Sequence, residues 1–324
     1  MTALAHEIHE TTADGVPVLV LASPAASIEA AIVPAAGMVC ASLRHDGREL
    51  LHVGEGVRGY VERAATFGVP LLHPWANRLE RLSYQAAGVH VLLDPQRTPV
   101  KLDENGLSIH GLLHASSAWE VERTHADGGG AQVAARLDFG ADRRLLAGFP
   151  FPHALELVVA LRRDVLSWEL TLQAGATRPV PVAFGWHPYL RLPGIPREEW
   201  HVELPVVRRA LLDGRGIPTG QTAPAGPRSG PLGERAFDDL YPLLDDPAEF
   251  VLAGGDGALR VRFDEGWRCA QVYTPAGADF ICFEPMTAPT DALRRGGADL
   301  HLVSPGERYT TSWSLLVEGR PGRS

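Results

Sequence analysis

The sequence predicts an all-β protein in which antiparallel sheets pack face to face. Short runs of apolar and β-branched residues recur along the 324-residue chain, while long segments with helical periodicity are scarce. The clearest pair of strands is a hairpin from His153 to Ala174, because the residues between Leu166 and Leu172 alternate between apolar and polar. Repeated strands without intervening helices favour a large antiparallel β-sandwich over a parallel α/β core.

The sequence also predicts one helix, one long loop and several further strands. One modest helix is predicted around Gly59 to Thr66. The stretch from Asp213 to Glu234 contains four prolines with glycines between them, which predicts a surface loop. Strands of the same character flank this loop, so we predict a single domain over residues 1–324. Further strands are predicted over Val18 to Leu21, Ser27 to Val33, Val202 to Leu211, Ala258 to Phe263, Cys269 to Tyr273, Phe280 to Phe283 and Tyr309 to Val317.

Composition limits the classes of partner. Hydrophobic residues make up 45% of the chain and charged residues 21%, which is ordinary for a globular protein with a large core. The net charge is −9 and no block of like charges stands out, so we expect neither a nucleic-acid nor a membrane partner. No apolar run approaches roughly 18 residues and the first residues resemble no export signal, so we expect a cytoplasmic protein.

Cysteines and histidines do not indicate a metal. The three cysteines at 40, 269 and 282 lie in apolar surroundings and form no C-x-x-C pair, so we expect buried free thiols. Among thirteen histidines, none forms an H-x-H or H-E-x-x-H motif. His110 and His114 have a spacing that suits a helix, but Gly111 between them argues against one. The sequence predicts neither a metal site nor a cofactor.

A carboxylate near the C-terminus is the first candidate for chemistry. Glu284 ends an apolar run through Ile281 and Phe283 and precedes Pro285. The segment predicts a buried strand that carries an acid to a rim. Burying a carboxylate without a partner costs several kcal/mol, so Glu284 either pairs with a polar group or acts as a general base.

Two upstream clusters have the residue types of a sugar site. Asn77 and Arg78 follow a proline- and tryptophan-containing turn, and an amide beside a guanidinium fork suits a ligand with many hydroxyls. His187 lies between Trp186 and a tyrosine, where aromatic faces can stack on a sugar and an imidazole can donate a proton. The alternatives are an arginine paired with a nearby acid and aromatic packing in the core.

Two more clusters suit a ligand in the same way. His110 precedes Gly111, which permits close approach of the backbone, although a histidine in an apolar run can also be a core residue. Asp238 and Asp239 form a carboxylate pair before an aromatic residue. An aspartate there either accepts hydrogen bonds from a diol or ends a turn.

Taken in order, these phrases resemble the aldose 1-epimerase (galactose mutarotase) family over about residues 15 to 317. The resemblance implies the large galactose mutarotase-like supersandwich with an open sugar-binding cleft, a small-molecule sugar substrate, no cofactor or metal, and a monomer or homodimer. It rests on N-R at Asn77, H-G-L at His110, G-x-H-P-Y at Gly185, F-D-D-x-Y at Phe237 and E-P-M-T-x-P at Glu284.

The resemblance also implies roles for individual residues. The family consists of isomerases that interconvert the α and β anomers of a hexose. Glu284 corresponds to the general base of these enzymes and His187 to their general acid. We expect Glu284 to start ionised and His187 protonated, because a nearby carboxylate favours the charged imidazole. His110 corresponds to a second active-site histidine, Arg78 to the arginine that contacts sugar hydroxyls, and Asp238 to the acid that binds ring hydroxyls.

Departures from the family pattern concern the identity of the sugar. Leu190 stands where phenylalanine is usual, and Arg191 and Asp291 stand where asparagine is frequent.

Three alternative functions remain at this point. One is a hexose-6-phosphate 1-epimerase, which needs a basic cluster such as the arginine pairs at 162–163, 208–209 or 294–295. Another is a non-catalytic carbohydrate-binding protein. The third is a metal-dependent enzyme that uses His110, His114 and Glu284.

Overall fold

A computed structural model of the chain describes residues 5–63, 65–242 and 247–321. Its helices are α1 (Gly56–Arg63), α2 (Arg143–Gly148) and α3 (Ala292–Arg295). Its strands are β1 (Glu7–Ala13), β2 (Val16–Ser23), β3 (Ile28–Val33), β4 (Val39–His45), β5 (Arg48–Glu49), β6 (Leu71–Leu72), β7 (Ser83–Ala86), β8 (Val89–Leu92), β9 (Lys101–Leu102), β10 (Ser108–Ile109), β11 (Glu120–Ala126), β12 (Ala131–Asp138), β13 (His153–Arg162), β14 (Val165–Ala174), β15 (Val180–Val182), β16 (Gly185–Trp186), β17 (Tyr189–Leu190), β18 (His201–Glu203), β19 (Arg208–Leu212), β20 (Pro218–Pro224), β21 (Ser229–Pro231), β22 (Phe237–Pro242), β23 (Ala248–Glu265), β24 (Cys269–Thr274), β25 (Ile281–Met286), β26 (His301–Val303) and β27 (Arg308–Pro321).

Three larger sheets organise these strands. An eight-stranded sheet has the order β11-β12-β13-β14-β27-β23-β18-β21, and a six-stranded sheet has the order β22-β24-β25-β16-β6 with β17 also paired to β25. A five-stranded sheet runs from β1 to β5 in chain order. The strands pair antiparallel, as in the long ladders β13–β14 and β24–β25. The predicted all-β antiparallel fold is confirmed.

The core lies between the eight-stranded and the six-stranded sheets. Trp168 and Trp313 are opposite each other on β14 and β27 and stack with ring centroids 4.1 Å apart. Trp186 of the other sheet reaches them, with its centroid 6.3 Å from that of Trp168. Phe283 of β25 likewise packs against Phe250 of β23, with centroids 5.4 Å apart. These contacts join the two sheets face to face, as in a β-sandwich.

Local predictions met different outcomes. The hairpin from His153 to Ala174 is confirmed as β13 and β14, and the helix predicted around Gly59 to Thr66 is α1, which begins and ends three residues earlier. The predicted loop from Asp213 to Glu234 is wrong, because it contains β20 and β21. Pro224 and Pro231 end these strands, where a missing amide hydrogen breaks no interior ladder bond. Cys40, Cys269 and Cys282 are buried free thiols, as expected.

The helices of the described ranges are short. None of them is both long and apolar enough to cross a membrane.

Two buried histidines contact each other among aromatic side chains: His73, which follows β6, and His153, which begins β13. The Nε2 atoms of His73 and His153 are 2.8 Å apart, and Nδ1 of His153 lies 2.6 Å from the carbonyl oxygen of Phe151. A carbonyl only accepts, so His153 carries its proton on Nδ1 and its Nε2 accepts from His73. Burial lowers the pKa of His153 to about 4 and that of His73 well below its usual value. Both rings are therefore neutral at neutral pH.

This pair predicts acid sensitivity of the fold. A histidine whose pKa is lowered on folding contributes stability that is complete above its unfolded pKa near 6.5 and is lost as the pH falls toward the folded value. For His153 alone the loss is on the order of 3 kcal/mol. We expect His153→Phe to flatten the decline of the unfolding free energy between pH 6.5 and 4, measured by urea denaturation. The matched control is His90→Gln, which changes an exposed histidine. An unchanged slope in His153→Phe would show that protonation of His153 does not cause the decline in the unfolding free energy.

Candidate active site

One face of the six-stranded sheet carries a group of polar side chains. Gln271 and Tyr273 lie two residues apart on β24, and Glu284 of β25 lies opposite Gln271 in the ladder. Asp238 of β22 lies opposite Tyr273. Paired residues, and residues two apart, point to the same side of a sheet, so all four side chains project from one face. They line a cavity of about 160 Å³.

Connections between strands supply the other walls. The backbone amide of His110 donates to the carbonyl oxygen of Asn77 at 3.0 Å, which ties the segment after β6 to the segment after β10. Asn77 and His110 both have left-handed backbones, with φ of 57° and 62°. Such strain costs roughly 1–2 kcal/mol for a non-glycine residue and is often found at functional sites. The wall residues are Thr66, Asn77, Arg78, Ile109, His110, His187 and Tyr189.

The imidazole of His187 and the carboxyl group of Glu284 meet in this cavity. Nε2 of His187 lies 3.4 Å from Oε1 of Glu284, and the side chains are 6% and 2% exposed. Burial lowers the pKa of His187 to about 3, and the positive charge of Lys101 adds to this shift. Burial raises the pKa of Glu284 well above its usual value, and the charge of Asp238 adds to that shift. Arg78 opposes the rise.

The protonation state of this pair differs from the sequence-based expectation. Both shifts favour the neutral forms, so a proton shared by the pair resides on Glu284 and not on His187. The expectation of an ionised Glu284 and a protonated His187 considered only the attraction between opposite charges. It neglected that both charges must leave water, and at this depth desolvation is the larger effect.

Arg78 is held by an acid while it lines the cavity. Its Nε donates to Oδ2 of Asp103 at 2.7 Å, and its Nη1 donates to Oδ1 of Asn77 at 3.2 Å. Burial alone would raise the pKa of Asp103, but the bonds from Arg78 and from backbone amides lower it. The guanidinium is therefore fixed in one orientation, which suits recognition of hydroxyl groups in fixed directions.

Asp238, and not Asp239, lies at the cavity. Oδ1 of Asp238 accepts from Nε2 of Gln271 at 2.6 Å. Asp239 points to the other side of β22, as strand alternation requires, and accepts from Arg209 at 3.2 Å and from Tyr241 at 3.1 Å. The carboxylate of Asp238 is thus available to a ligand in the cavity.

His110 completes the polar wall. Its ring lies edge-on to that of His187, with centroids 5.4 Å apart. Burial lowers the pKa of His110 well below its usual value, and the charges of His187 and Lys101 act in the same direction. His110 is therefore neutral and offers one donor and one acceptor nitrogen.

Comparison with known proteins identifies the family. The family model for aldose 1-epimerase matches residues 25–315. The chain belongs to the aldose 1-epimerase family. Its fold is similar to that of a galactose mutarotase-like protein from Clostridium acetobutylicum, with 18% identity, a TM-score of 0.82, and 97% of this chain and 99% of that chain covered. Galactose 1-epimerase from Lactobacillus acidophilus NCFM gives 15% identity, a TM-score of 0.74, and 97% and 98% coverage.

A curated relative matches over a shorter length. The uncharacterized protein YphB of Escherichia coli K12 is 27% identical over 177 residues, which is 49% of this chain and 58% of that protein. The match therefore spans little more than half of that relative.

In this aldose 1-epimerase family member, six of the seven predicted site residues line one cavity, and Trp186 does not. The six are Asn77, Arg78, His110, His187, Asp238 and Glu284. Trp186 is a correction, because its side chain is only 1% exposed and packs on Trp168 and Trp313 in the core. Its neighbour Gly185 pairs with Met286, which lies on the same side of β25 as Glu284, so Trp186 faces the opposite side.

Sequence reasoning missed five cavity residues and one nearby cation. Gln271 and Tyr273 carry a signal that was available, since they are two apart in a predicted strand and alternate with apolar residues. Thr66, Ile109 and Tyr189 lack such a pattern. Lys101, the only lysine of the chain, lies opposite Ile109 in the β9–β10 ladder, and its charge lowers the pKa of His110 and His187.

The basic pairs considered for a phosphorylated sugar lie elsewhere. Arg294 and Arg295 donate to the buried carboxylate of Asp291 at 3.0 and 3.2 Å. None of the arginines at 162–163, 208–209 and 294–295 lines the cavity. Within the residues that the structure describes, no group of three or more histidine, cysteine or acidic side chains is arranged to hold a metal ion. Nε2 of His114 instead lies 2.6 Å from the carbonyl oxygen of Tyr60.

Proposed function

We propose that the protein is an aldose 1-epimerase that interconverts the α and β anomers of an unphosphorylated hexose. The observation that carries this proposal is the contact of His187 and Glu284 in one cavity, with Nε2 and Oε1 3.4 Å apart. A general acid and a general base that act on the two oxygens of one anomeric carbon must reach the same small volume, and these two groups do so. Membership of the aldose 1-epimerase family supports the same activity.

Ring opening needs one proton removed and one delivered. Glu284 takes the proton of the C1 hydroxyl while His187 gives a proton to the ring oxygen, and the bond between C1 and the ring oxygen breaks. The aldehyde then rotates about C1–C2, and the reverse transfers close the ring with the other configuration. The pair carries one proton in total before and after the reaction, so the reaction is balanced without a further reactant.

Burial of the pair makes its ionised form the less stable one. The resting pair is neutral, so the ionised Glu284 and protonated His187 that open the ring form when a proton passes from Glu284 to His187. Ring opening then returns both groups to their neutral forms. Arg78 lowers the pKa of Glu284 and so helps to restore the ionised carboxylate for the next turnover.

The surrounding residues hold the substrate in place. Arg78 and neutral His110 donate to sugar hydroxyls, and Asp238 accepts from them. The engagement of Arg294 and Arg295 by Asp291 favours a free hexose over a phosphorylated one. A phosphate would need a basic group at the mouth of the site, such as one of the arginine pairs that lie elsewhere.

Anomer exchange tests this proposal directly. We expect the protein to accelerate mutarotation of freshly dissolved α-glucose or α-galactose, followed by polarimetry, and to act more weakly on glucose 6-phosphate. Saturation-transfer NMR at equilibrium provides a second measurement of the same rate.

Two outcomes would overturn the proposal. Sugar binding without any acceleration of mutarotation would indicate a carbohydrate-binding protein. A preference for glucose 6-phosphate would indicate the phosphorylated substrate class and contradict the argument from the arginine pairs.

A further inference from the structure

A second cavity lies next to the candidate active site. Its volume is about 630 Å³, against about 160 Å³ for the cavity that holds His187 and Glu284. It is bounded by the β19–β20 hairpin on one side and by residues of the segment from Pro289 to Asp299 on another. Small-molecule sites in proteins commonly have volumes of roughly 300–1,000 Å³, so this second cavity has the size of a ligand site.

The floor of the second cavity continues the sheet face of the candidate active site. Cys269 and Gln271 lie two residues apart on β24, and Leu240 of β22 lies opposite Gln271. Gln271 lines the first cavity, whereas Cys269 and Leu240 line the second. Paired residues, and residues two apart, point to the same side of a sheet, so both cavities open on one side of the six-stranded sheet.

Trp267 and two prolines give the second cavity an apolar wall. Nε1 of Trp267 donates to the carbonyl oxygen of Ser312 at 2.7 Å, so the polar atom of the indole is already bonded inside the protein. The part of the ring that lines the cavity is therefore carbon. Pro218 and Pro289 line it as well. Such a surface suits the carbon-bound hydrogens of a pyranose ring.

The charged groups of the second cavity balance one another. Arg268, Arg295 and Asp299 line it. The charges of Asp299 and Arg268 both reach Cys269 in the floor, where the first raises and the second lowers the pKa of the thiol. Nε of Arg295 donates to the buried carboxylate of Asp291 at 3.2 Å. Each arginine is thus matched by an acid, which favours a neutral ligand over an anion.

Uncharged polar groups complete the lining. Thr290 is 1% exposed, and its Oγ1 atom is buried without a hydrogen-bond partner in the part of the chain that the structure describes. A buried hydroxyl without a partner is unfavourable, and a hydroxyl of a ligand in the cavity would supply one. Gln221 of β20 adds an exposed amide that can both donate and accept.

We propose that the second cavity binds a neutral saccharide unit, either a free hexose or one unit of a longer sugar. Arg268 and Gln221 donate to its hydroxyl groups, Asp299 accepts from them, and the apolar side of the ring packs on Trp267. A sugar uses all of these features at once, because it has many donors and acceptors, no charge and apolar faces. This site is separate from His187 and Glu284 and does not depend on the reaction proposed for them.

Trp267 provides a direct signal for sugar in the second cavity. Among the described residues it is the one tryptophan that lines either cavity, so the ¹H–¹⁵N resonance of its indole reports on the second one. The resonance is assigned by its loss in Trp267→Phe. We expect titration with glucose or with maltose to shift it until the site is saturated. A shift with glucose indicates a free hexose, and a shift with maltose alone indicates a unit of a longer sugar.

Two substitutions at exposed positions of the lining locate the signal. Ala298→Phe places a large side chain in the cavity and should abolish the shift. Asp299→Ala removes an acceptor and should raise the dissociation constant about 10-fold or more, as loss of a hydrogen bond to a charged group implies. The matched control is Ala126→Phe, because Ala126 is exposed on β11 and lines neither cavity, so this variant should bind like the parent.

The possible outcomes separate this proposal from the proposed function. No shift with either sugar, or an undiminished shift in both Ala298→Phe and Asp299→Ala, would overturn the second site. A shift with inorganic phosphate and not with sugar would overturn it too, since it would indicate an anion site. If sugar shifts the Trp267 resonance while the unmodified protein fails to accelerate mutarotation, the proposed function is wrong and the second site stands. Acceleration without any shift has the opposite meaning.

Discussion

Glu284→Gln is expected to slow mutarotation by about 10²–10⁴-fold, the usual contribution of a positioned acid or base. The substitution keeps the size and hydrogen-bonding shape of the side chain but removes its ability to take a proton. His187→Asn should give a loss of the same order, because it removes the partner that delivers a proton to the ring oxygen. Polarimetry at saturating hexose measures both losses as reductions in kcat.

The stability of Glu284→Gln separates lost chemistry from lost folding. A carboxyl whose pKa is raised on folding contributes stability that is complete below its unfolded pKa and is lost as the pH rises through the folded value. At neutral pH the buried Glu284 therefore adds no ionic stabilisation. The Glu284→Gln variant should unfold at the same temperature as the parent or at a higher one.

Asp239→Asn is the matched control for this experiment. It is a neighbouring carboxylate on β22 that bonds Arg209 and Tyr241 outside the cavity. Its rate should stay within about twofold of the parent. An undiminished rate in Glu284→Gln or in His187→Asn would show that the assigned pair is not the acid and base.

Gly111→Ala is expected to destabilise the protein by at least about 3 kcal/mol, among the larger effects of single substitutions. Gly111 has a φ of +74°, and a Cβ there would lie 2.2 Å from the carbonyl oxygen of His73. This oxygen belongs to the backbone and accepts from the amides of Leu112 and Leu113, so it cannot move aside at low cost. The change combines an unfavourable backbone conformation with a clash.

Gly106→Ala provides the comparison that isolates the clash. Its φ of +72° is nearly the same, but nothing lies within 4 Å of the position of its Cβ. We expect it to cost only about 1 kcal/mol. Urea denaturation of the two variants measures the difference, and equal losses would mean that the close approach of Gly111 to His73 is not maintained in solution.

Several parts of the fold and the site could be predicted from local patterns. The arm β14 alternates between apolar and polar residues from Leu166 to Leu172, and the bounds predicted for the hairpin match β13 and β14. Glu284 could be found because an acid after an apolar run conflicts with its surroundings unless it has a use. The strands β20 and β21 were missed because prolines and glycines obscure a strand signal, although short strands tolerate both at their ends.

Other parts of the site depend on contacts that no local pattern contains. The pairing of Arg78 with Asp103 joins residues 25 positions apart through loop geometry. Trp186 is predicted from its sequence context to bind the sugar, but β16 has only two residues, too few for the sequence to show which side is buried. The lowered pKa of His187 follows from its depth below the surface, which depends on the complete fold.

The alternation along β25 links catalytic competence to the assembly of the core. Phe283 packs on Phe250 between the two large sheets, and the next residue, Glu284, projects into the cavity. Deleting one residue from the turn between β24 and β25 and sliding the strand by one position would bury the acid among aromatic rings and expose the phenylalanine. The register that seats Phe283 in the core is therefore the same register that presents Glu284 to the cavity, so one error would disturb both.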